Sequence, residues 1–410
     1  MAASANPAPC RRFRRRPCRA GTPASATAFP PDLLTSPIRC KLGEVKPIGR
    51  RGLLRSAAAL PFARMLAGFQ AEPGLREHAT KAGLLYGAAA AWPALRDDAD
   101  YAASFARECN ILVPENVLKM GPVQPSPGIF FFEPADSMAD FCREHDMQMR
   151  GHTLVWHIQM WPWFKTEVTA ENAREHLEKH IAAVAGRYRG RMHSWDVVNE
   201  AVYPPDGRED GLRITPFLEL IGPDYIELAF RTAHSADPDA RLTYNDYGLD
   251  YDSPEQEVKR QAVLRLLRHL KERDVPLHAF GMQAHLDWAA FRNFKAETLQ
   301  AFFREVASLG LEIYITELDV ADRDLPDDIA ERDEAVARVY ESYLTAALQD
   351  PAVKAVLTWG LTDRYTWLAS RRRRPSGTPV RVLPLDRDYQ RKPAWHAMKR
   401  AFLSAPPRNA

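Results

Sequence analysis

Ser194-Trp195-Asp196-Val197-Val198-Asn199-Glu200-Ala201-Val202 reads as a short apolar strand that ends abruptly in two polar residues, Asn199 and Glu200. A second stretch, Ile313-Tyr314-Ile315-Thr316-Glu317-Leu318-Asp319-Val320, answers it with another strand of buried type, whose Glu317 lies 117 positions after Glu200. One apolar strand ending in an acid is commonplace, since strand ends are often solvated. Two such carboxylates are the minimum apparatus for cleaving a glycosidic bond: one protonates the leaving oxygen, the other attacks the sugar or activates water.

Outward from these two stretches, one rhythm repeats from about Gly83: a short apolar run, then an amphipathic stretch. The runs are LLYGAAA, NILVPE, MQMRGHTLVW, SWDVVNE, RLTYND, AFGMQAHL, EIYITELD and AVLTWGL. Between the third and fourth, Leu177, Ile181, Val184 and Tyr188 share one helix face, with Thr169 as the expected cap. The stretches PEQEVKRQAVLRLLRHLKERD and ETLQAFFREVASLG behave likewise. Strands alternating with helices imply parallel pairing through crossovers. Eight such units fit a (β/α)₈ TIM barrel forming a single catalytic domain. The rival is an open doubly wound sheet, but LLYGAAAAW lacks the glycine-rich nucleotide turn that would follow its first strand.

A barrel concentrates function at the carboxyl ends of its strands. Those ends carry Glu115, Asn116 and Lys119; His152, Trp156, His157 and Gln159; Asn199 and Glu200; Asn245 and Tyr247; Gln283 and His285; Glu317; and Trp359. Flat rings such as Trp156, Trp359 and Trp367 suit the apolar faces of pyranose sugars, and amides and imidazoles suit their hydroxyls. Alternation puts His152 and Trp156 on one strand face, and Gln283 and His285 on one face of theirs. Asn199 and Glu200 are adjacent, so both reach one site only if their strand ends or bulges there. A metal reading of His152, His157 and His285 is disfavoured, because their companions are Asn, Gln and Trp, which ligate poorly.

Together PEN-V-L-K, G-H-T-L-V-W-H-I-Q, W-D-V-V-N-E-A, Y-N-D-Y, M-Q-A-H-L, I-T-E-L-D-V and T-W-G-L-T-D resemble the motifs of the family-10 glycoside hydrolases, the endo-β-1,4-xylanases, from about Tyr86 to Leu403. The resemblance implies a retaining enzyme with Glu200 as general acid/base and Glu317 as nucleophile. By the same likeness Asn199 would hold the sugar 2-hydroxyl and His285 would hydrogen-bond the nucleophile. Asn116, Lys119, His152, Trp156, Gln159, Gln283, Trp359 and Trp367 would line the glycone side, with Tyr247 nearer the aglycone. No cofactor or metal is implied. The expected partner is xylan or xylo-oligosaccharide, met by a monomer without nucleic acid or stable membrane association. The alternatives are another β-1,4-glycanase, acting on glucan or mannan, or a non-catalytic carbohydrate-binding barrel. Two departures stand out. The family usually continues past its lysine through a tryptophan, whereas Lys119 leads into Met120-Gly121-Pro122. After Trp367, where the family often has an arginine, Leu368-Ala369-Ser370 leads into Arg371–Arg374.

Apolar content of 46% and charged content of 26% are those of a globular protein. The net charge of +2 conceals a basic head: residues 1–55 carry 12 Lys/Arg against 2 Asp/Glu, and the remainder nets −8. An acidic body disfavours nucleic acid, whose phosphates it would repel. Residues 1–49, rich in Pro, Ala and Arg, are expected to be a disordered leader. Residues 50–75 open on Arg50-Arg51 before a run of small apolar residues, the pattern of a Tat-type signal. It predicts export to the periplasm or beyond, with cleavage between Arg55 and Leu75. The catalytic domain would span 76–405. Of five cysteines, Cys109 and Cys142 lie in the body without CxxC spacing and are expected as separate buried thiols.

Overall fold

A computed structural model describes residues 72–408 of the chain. The leader 1–49 and the twin arginine lie outside the described residues. Among the described residues nine strands run in order: β1 (Leu85–Ala90), β2 (Ile111–Pro114), β3 (Gln148–Val155), β4 (Ser194–Asn199), β5 (Arg241–Asp246), β6 (Ala279–Met282), β7 (His285–Asp287), β8 (Glu312–Ala321) and β9 (Val353–Thr358). All pair in parallel. β1 through β6 pair successively, β6 pairs with β8, β8 with β9, and β9 returns to β1. The circle closes as an eight-stranded barrel, the (β/α)₈ fold expected, built on the eight apolar runs. Parallel strands packed on both faces need unbroken apolar sequence, and these runs supply it.

Two cores result. The larger lies between the strands and the helix layer, where Leu177, Ile181, Val184 and Tyr188 are all fully buried. The smaller fills part of the barrel interior, with Ala89, Ile111, Val113, Tyr314, Ala355 and Leu357. Arg150 sits below the site, donating to Ser194 Oγ at 2.7 Å and Thr243 Oγ1 at 3.3 Å and pairing with Asp196. Cys109 and Cys142 are both buried, and no disulfide joins them.

Three local expectations are corrected. The helix expected from Thr169 runs over Ala173–Arg187, because Thr169 and Asn172 form a turn first: Asn172 Oδ1 accepts from the Thr169 amide at 2.7 Å. The sixth apolar run is not one strand. Ala284 takes a left-handed φ of 59° and separates β6 from the short β7, so alternation does not relate Gln283 to His285. β3 ends at Val155 with a register shift after His152, so His152 and Trp156 do not meet by alternation either. At the start of the described chain, Glu72 pairs with Lys399 and Arg391, and Leu75 is fully buried.

Candidate active site

The carboxyl end of β4 makes the turn that its sequence requires. The β4–β5 register shifts between Asp196 and Val198, β4 ends at Asn199, and Glu200 adopts φ 60°. This left-handed residue turns the Glu200 side chain to the same site as Asn199. The Asn199 amide donates to Glu200 Oε1 at 3.1 Å, and Gln283 donates to the same oxygen at 3.0 Å.

Asn245, at the neighbouring strand end, links the two carboxylates. Its single amide nitrogen lies 2.8 Å from Asn199 Oδ1 and 2.8 Å from Glu317 Oε1. Thr316 Oγ1 donates to Asn245 Oδ1 at 2.7 Å and fixes the amide orientation. The other Glu317 oxygen faces His285 Nε2 at 3.1 Å. His285 Nδ1 faces Asp319 Oδ1 at 3.0 Å, and Trp367 Nε1 donates to Asp319 Oδ2 at 2.7 Å.

The environments push the two glutamates apart. Burial raises Glu200, helped by the charges of Asp246 and Glu317 and only partly opposed by hydrogen bonding from Gln283. Burial also pushes Glu317 upward, but the His285 hydrogen bond, the His152 and His285 charges and the Asn245 amide outweigh it and hold the group at about 2. His285 is the counterpart: burial opposes its charge, yet Asp319 and Glu317 raise it to about 10. One carboxyl is therefore suited to hold a proton beside another that has lost its own.

Lys119 stands over the Trp156 and Trp359 rings, at 5.0 and 5.7 Å from their centroids, and donates to Asn116 Oδ1 at 3.1 Å. The His152 ring lies 5.0 Å from Trp359 and 6.4 Å from Trp156, with its Nδ1 held at 3.0 Å from Asp196. Trp367 lies 5.0 Å from His285. These rings and donors form one wall. The Trp156 indole N–H is buried without a partner in hydrogen-bonding geometry among the described residues. Gln159, with φ 51°, is exposed in the loop after β3, and only its carbonyl is engaged, by the Gly121 amide at 2.8 Å. Gly121 is tightly placed, since a Cβ there would meet the Met160 carbonyl at 2.7 Å. Of the arginine run, Arg374 is buried and bound to main-chain carbonyls, whereas Arg372 is exposed, 3.9 Å from Asp287.

Two acids of opposite character stand in this barrel, Glu200 just past the end of β4 and Glu317 on β8, and one family model, glycosyl hydrolase family 10, matches residues 74–401. The chain belongs to glycosyl hydrolase family 10. Endo-1,4-beta-xylanase A of Caldicellulosiruptor sp. (strain Rt8B.4) is 37% identical to it over 318 residues, covering 71% of this chain and 42% of that protein. Endo-1,4-beta-xylanase B of Thermotoga neapolitana is 35% identical over 308 residues, covering 74% and 84%. Among solved structures, xylanase 10B from Thermotoga petrophila RKU-1 in complex with xylobiose is similar with a TM-score of 0.73 at 35% identity, covering 82% of this chain and 98% of that one. The chain thus spans less than half of the Caldicellulosiruptor protein and most of the other two.

Sequence reasoning missed three residues that shape the site of this family-10 member: Arg213, Asp319 and Gly281. Asp319 had a signal, since it lies two residues beyond Glu317 on a strand, where alternation returns a side chain to the same face. Gly281 is set by packing, because a Cβ there would overlap Asn245 Oδ1. Arg213 lies in a loop, and nothing local in the sequence marks it.

Proposed function

We propose that the chain is a retaining endo-β-1,4-xylanase acting by double displacement. The observation that carries this is the linked pair Glu200 and Glu317, shifted in opposite directions. In the first step a Glu317 oxygen attacks the anomeric carbon while Glu200 gives its proton to the departing glycosidic oxygen. In the second, Glu200 takes a proton from water, which displaces Glu317 from the same carbon. Loss of the Glu317 charge in the covalent intermediate removes one cause of the raised Glu200 pKa, suiting Glu200 to act as base.

Azide rescue tests the assignment. Glu200→Ala should form the glycosyl-enzyme rapidly from a dinitrophenyl xylobioside, stall, and turn over with azide to a β-glycosyl azide. Glu317→Ala should lose the first step and yield the α-azide. The reverse pattern would exchange the two roles.

Xylan as substrate is supported by the names of the relatives and by Gln159 and Trp359, which would crowd the hydroxymethyl group of glucose. One extra carbon group is worth about 1–3 kcal/mol in such a pocket. Equal kcat/KM on aryl xylobioside and aryl cellobioside would favour the broader β-glycanase reading. We also propose that the protein works as an exported monomer, on the strength of Arg50-Arg51 and a polymeric substrate. Unchanged export of the Arg50→Lys, Arg51→Lys variant would sink the Tat assignment, and sedimentation checks the monomer.

A further inference from the structure

Beyond β4 the chain folds back on itself. Val202 bridges Leu212, the Tyr203 amide donates to the Gly211 carbonyl at 2.9 Å, and the Arg213 amide donates to the Ala201 carbonyl at 2.7 Å. This return sets Arg213 beside Glu200. Arg213 Nε donates to the Glu200 carbonyl at 2.8 Å, and Nη2 donates to Tyr247 Oη at 2.9 Å. The guanidinium lies 4.3 Å from the Tyr203 ring centroid. The Glu200 amide is held separately, by the Asn245 carbonyl at 2.9 Å.

We propose that Arg213 is a positioning residue for the acid/base, clamping Glu200 by its own backbone and tying it to the aglycone-side Tyr247. Glu200 occupies a left-handed conformation that a residue with a side chain rarely adopts, so its direction depends on what holds its peptide groups. Arg150, buried below the site, ends on the carboxylate of Asp196. Arg213 is part-buried and, among the described residues, ends instead on a carbonyl and a phenol of the site. This proposal rests on Glu200 being the acid/base.

The test compares aryl xylobiosides with good and poor leaving groups, because a misplaced acid matters only where the departing oxygen needs a proton. For Arg213→Gln, kcat/KM on the phenyl glycoside should fall by at least about tenfold, and by less than the ~10²–10⁴ that a general acid contributes in full. On the dinitrophenyl glycoside kcat/KM should be retained, while kcat and KM fall together because the second step also needs Glu200. Arg213→Lys, whose one ammonium reaches a single acceptor, should show the same pattern more weakly and carries the test if the glutamine variant does not fold. Parallel losses of kcat/KM on both glycosides, or no loss on either, would overturn the proposal. Glu200→Gln is the control: if it lacks the leaving-group dependence, the acid/base assignment itself fails.

Discussion

His285 stands between two carboxylates, with Nε2 3.1 Å from Glu317 Oε2 and Nδ1 3.0 Å from Asp319 Oδ1. Asp319 is nearly inaccessible and also receives the Trp367 indole, so it fixes both rings at once. Its negative charge keeps the imidazole protonated against burial, and the protonated imidazole keeps Glu317 ionised.

Replacing Asp319 by Asn should therefore lower the His285 pKa from about 10 toward its ordinary value. Transition-state stabilisation should drop by about 1.5–3 kcal/mol, the worth of a hydrogen bond to a charged group. Imidazole NMR titration and kcat/KM measure the two effects. An unmoved His285 titration would separate Asp319 from the relay.

The pH dependence follows from the opposite shifts. Activity needs Glu317 ionised, so kcat/KM should rise as pH rises through about 2. It needs Glu200 protonated, so kcat/KM should fall as pH rises through a value above the ordinary carboxyl range. That basic limb should be present on a phenyl glycoside and absent on a dinitrophenyl glycoside, whose leaving group needs no proton, as two pH–rate series would show.

Gly281→Ala should act through Asn245, whose side chain occupies the space a Cβ would take. Activity should fall in the native background and fall much less in Asn245→Ala, where the displaced contact is already gone. A double-mutant cycle reads this as coupling of about 0.5–3 kcal/mol. Additive losses would place the effect elsewhere.

Arg374→Ala should cost stability with little effect on the chemical step. Its guanidinium holds the Leu325 carbonyl at 2.5 Å, the Pro326 carbonyl at 3.1 Å and Asp327 at 3.0 Å, with Asp322 3.6 Å away. Removing one member of a buried ion pair costs about 3–5 kcal/mol, measurable by urea unfolding. An unchanged midpoint would show the loop held by other contacts.

Period and composition along the chain determined the barrel, because each apolar run must be buried on both faces and each amphipathic stretch on one. They also placed Glu200 at a strand end, but Glu317, expected at an end too, lies inside β8, which runs on to Ala321. Tertiary structure alone decided how those ends are turned. Strict alternation would send Asn199 and Glu200 apart, and it misjudges Gln283 with His285. Left-handed residues at Glu200 and Ala284 break the period that alternation assumes. The protonation states also lay beyond the sequence, since they depend on burial and on charges from distant segments: Asp319 and His285 for Glu317, and Asp246 for Glu200. Arg213 belongs to the same class, brought to the Glu200 carbonyl only by the return of a loop.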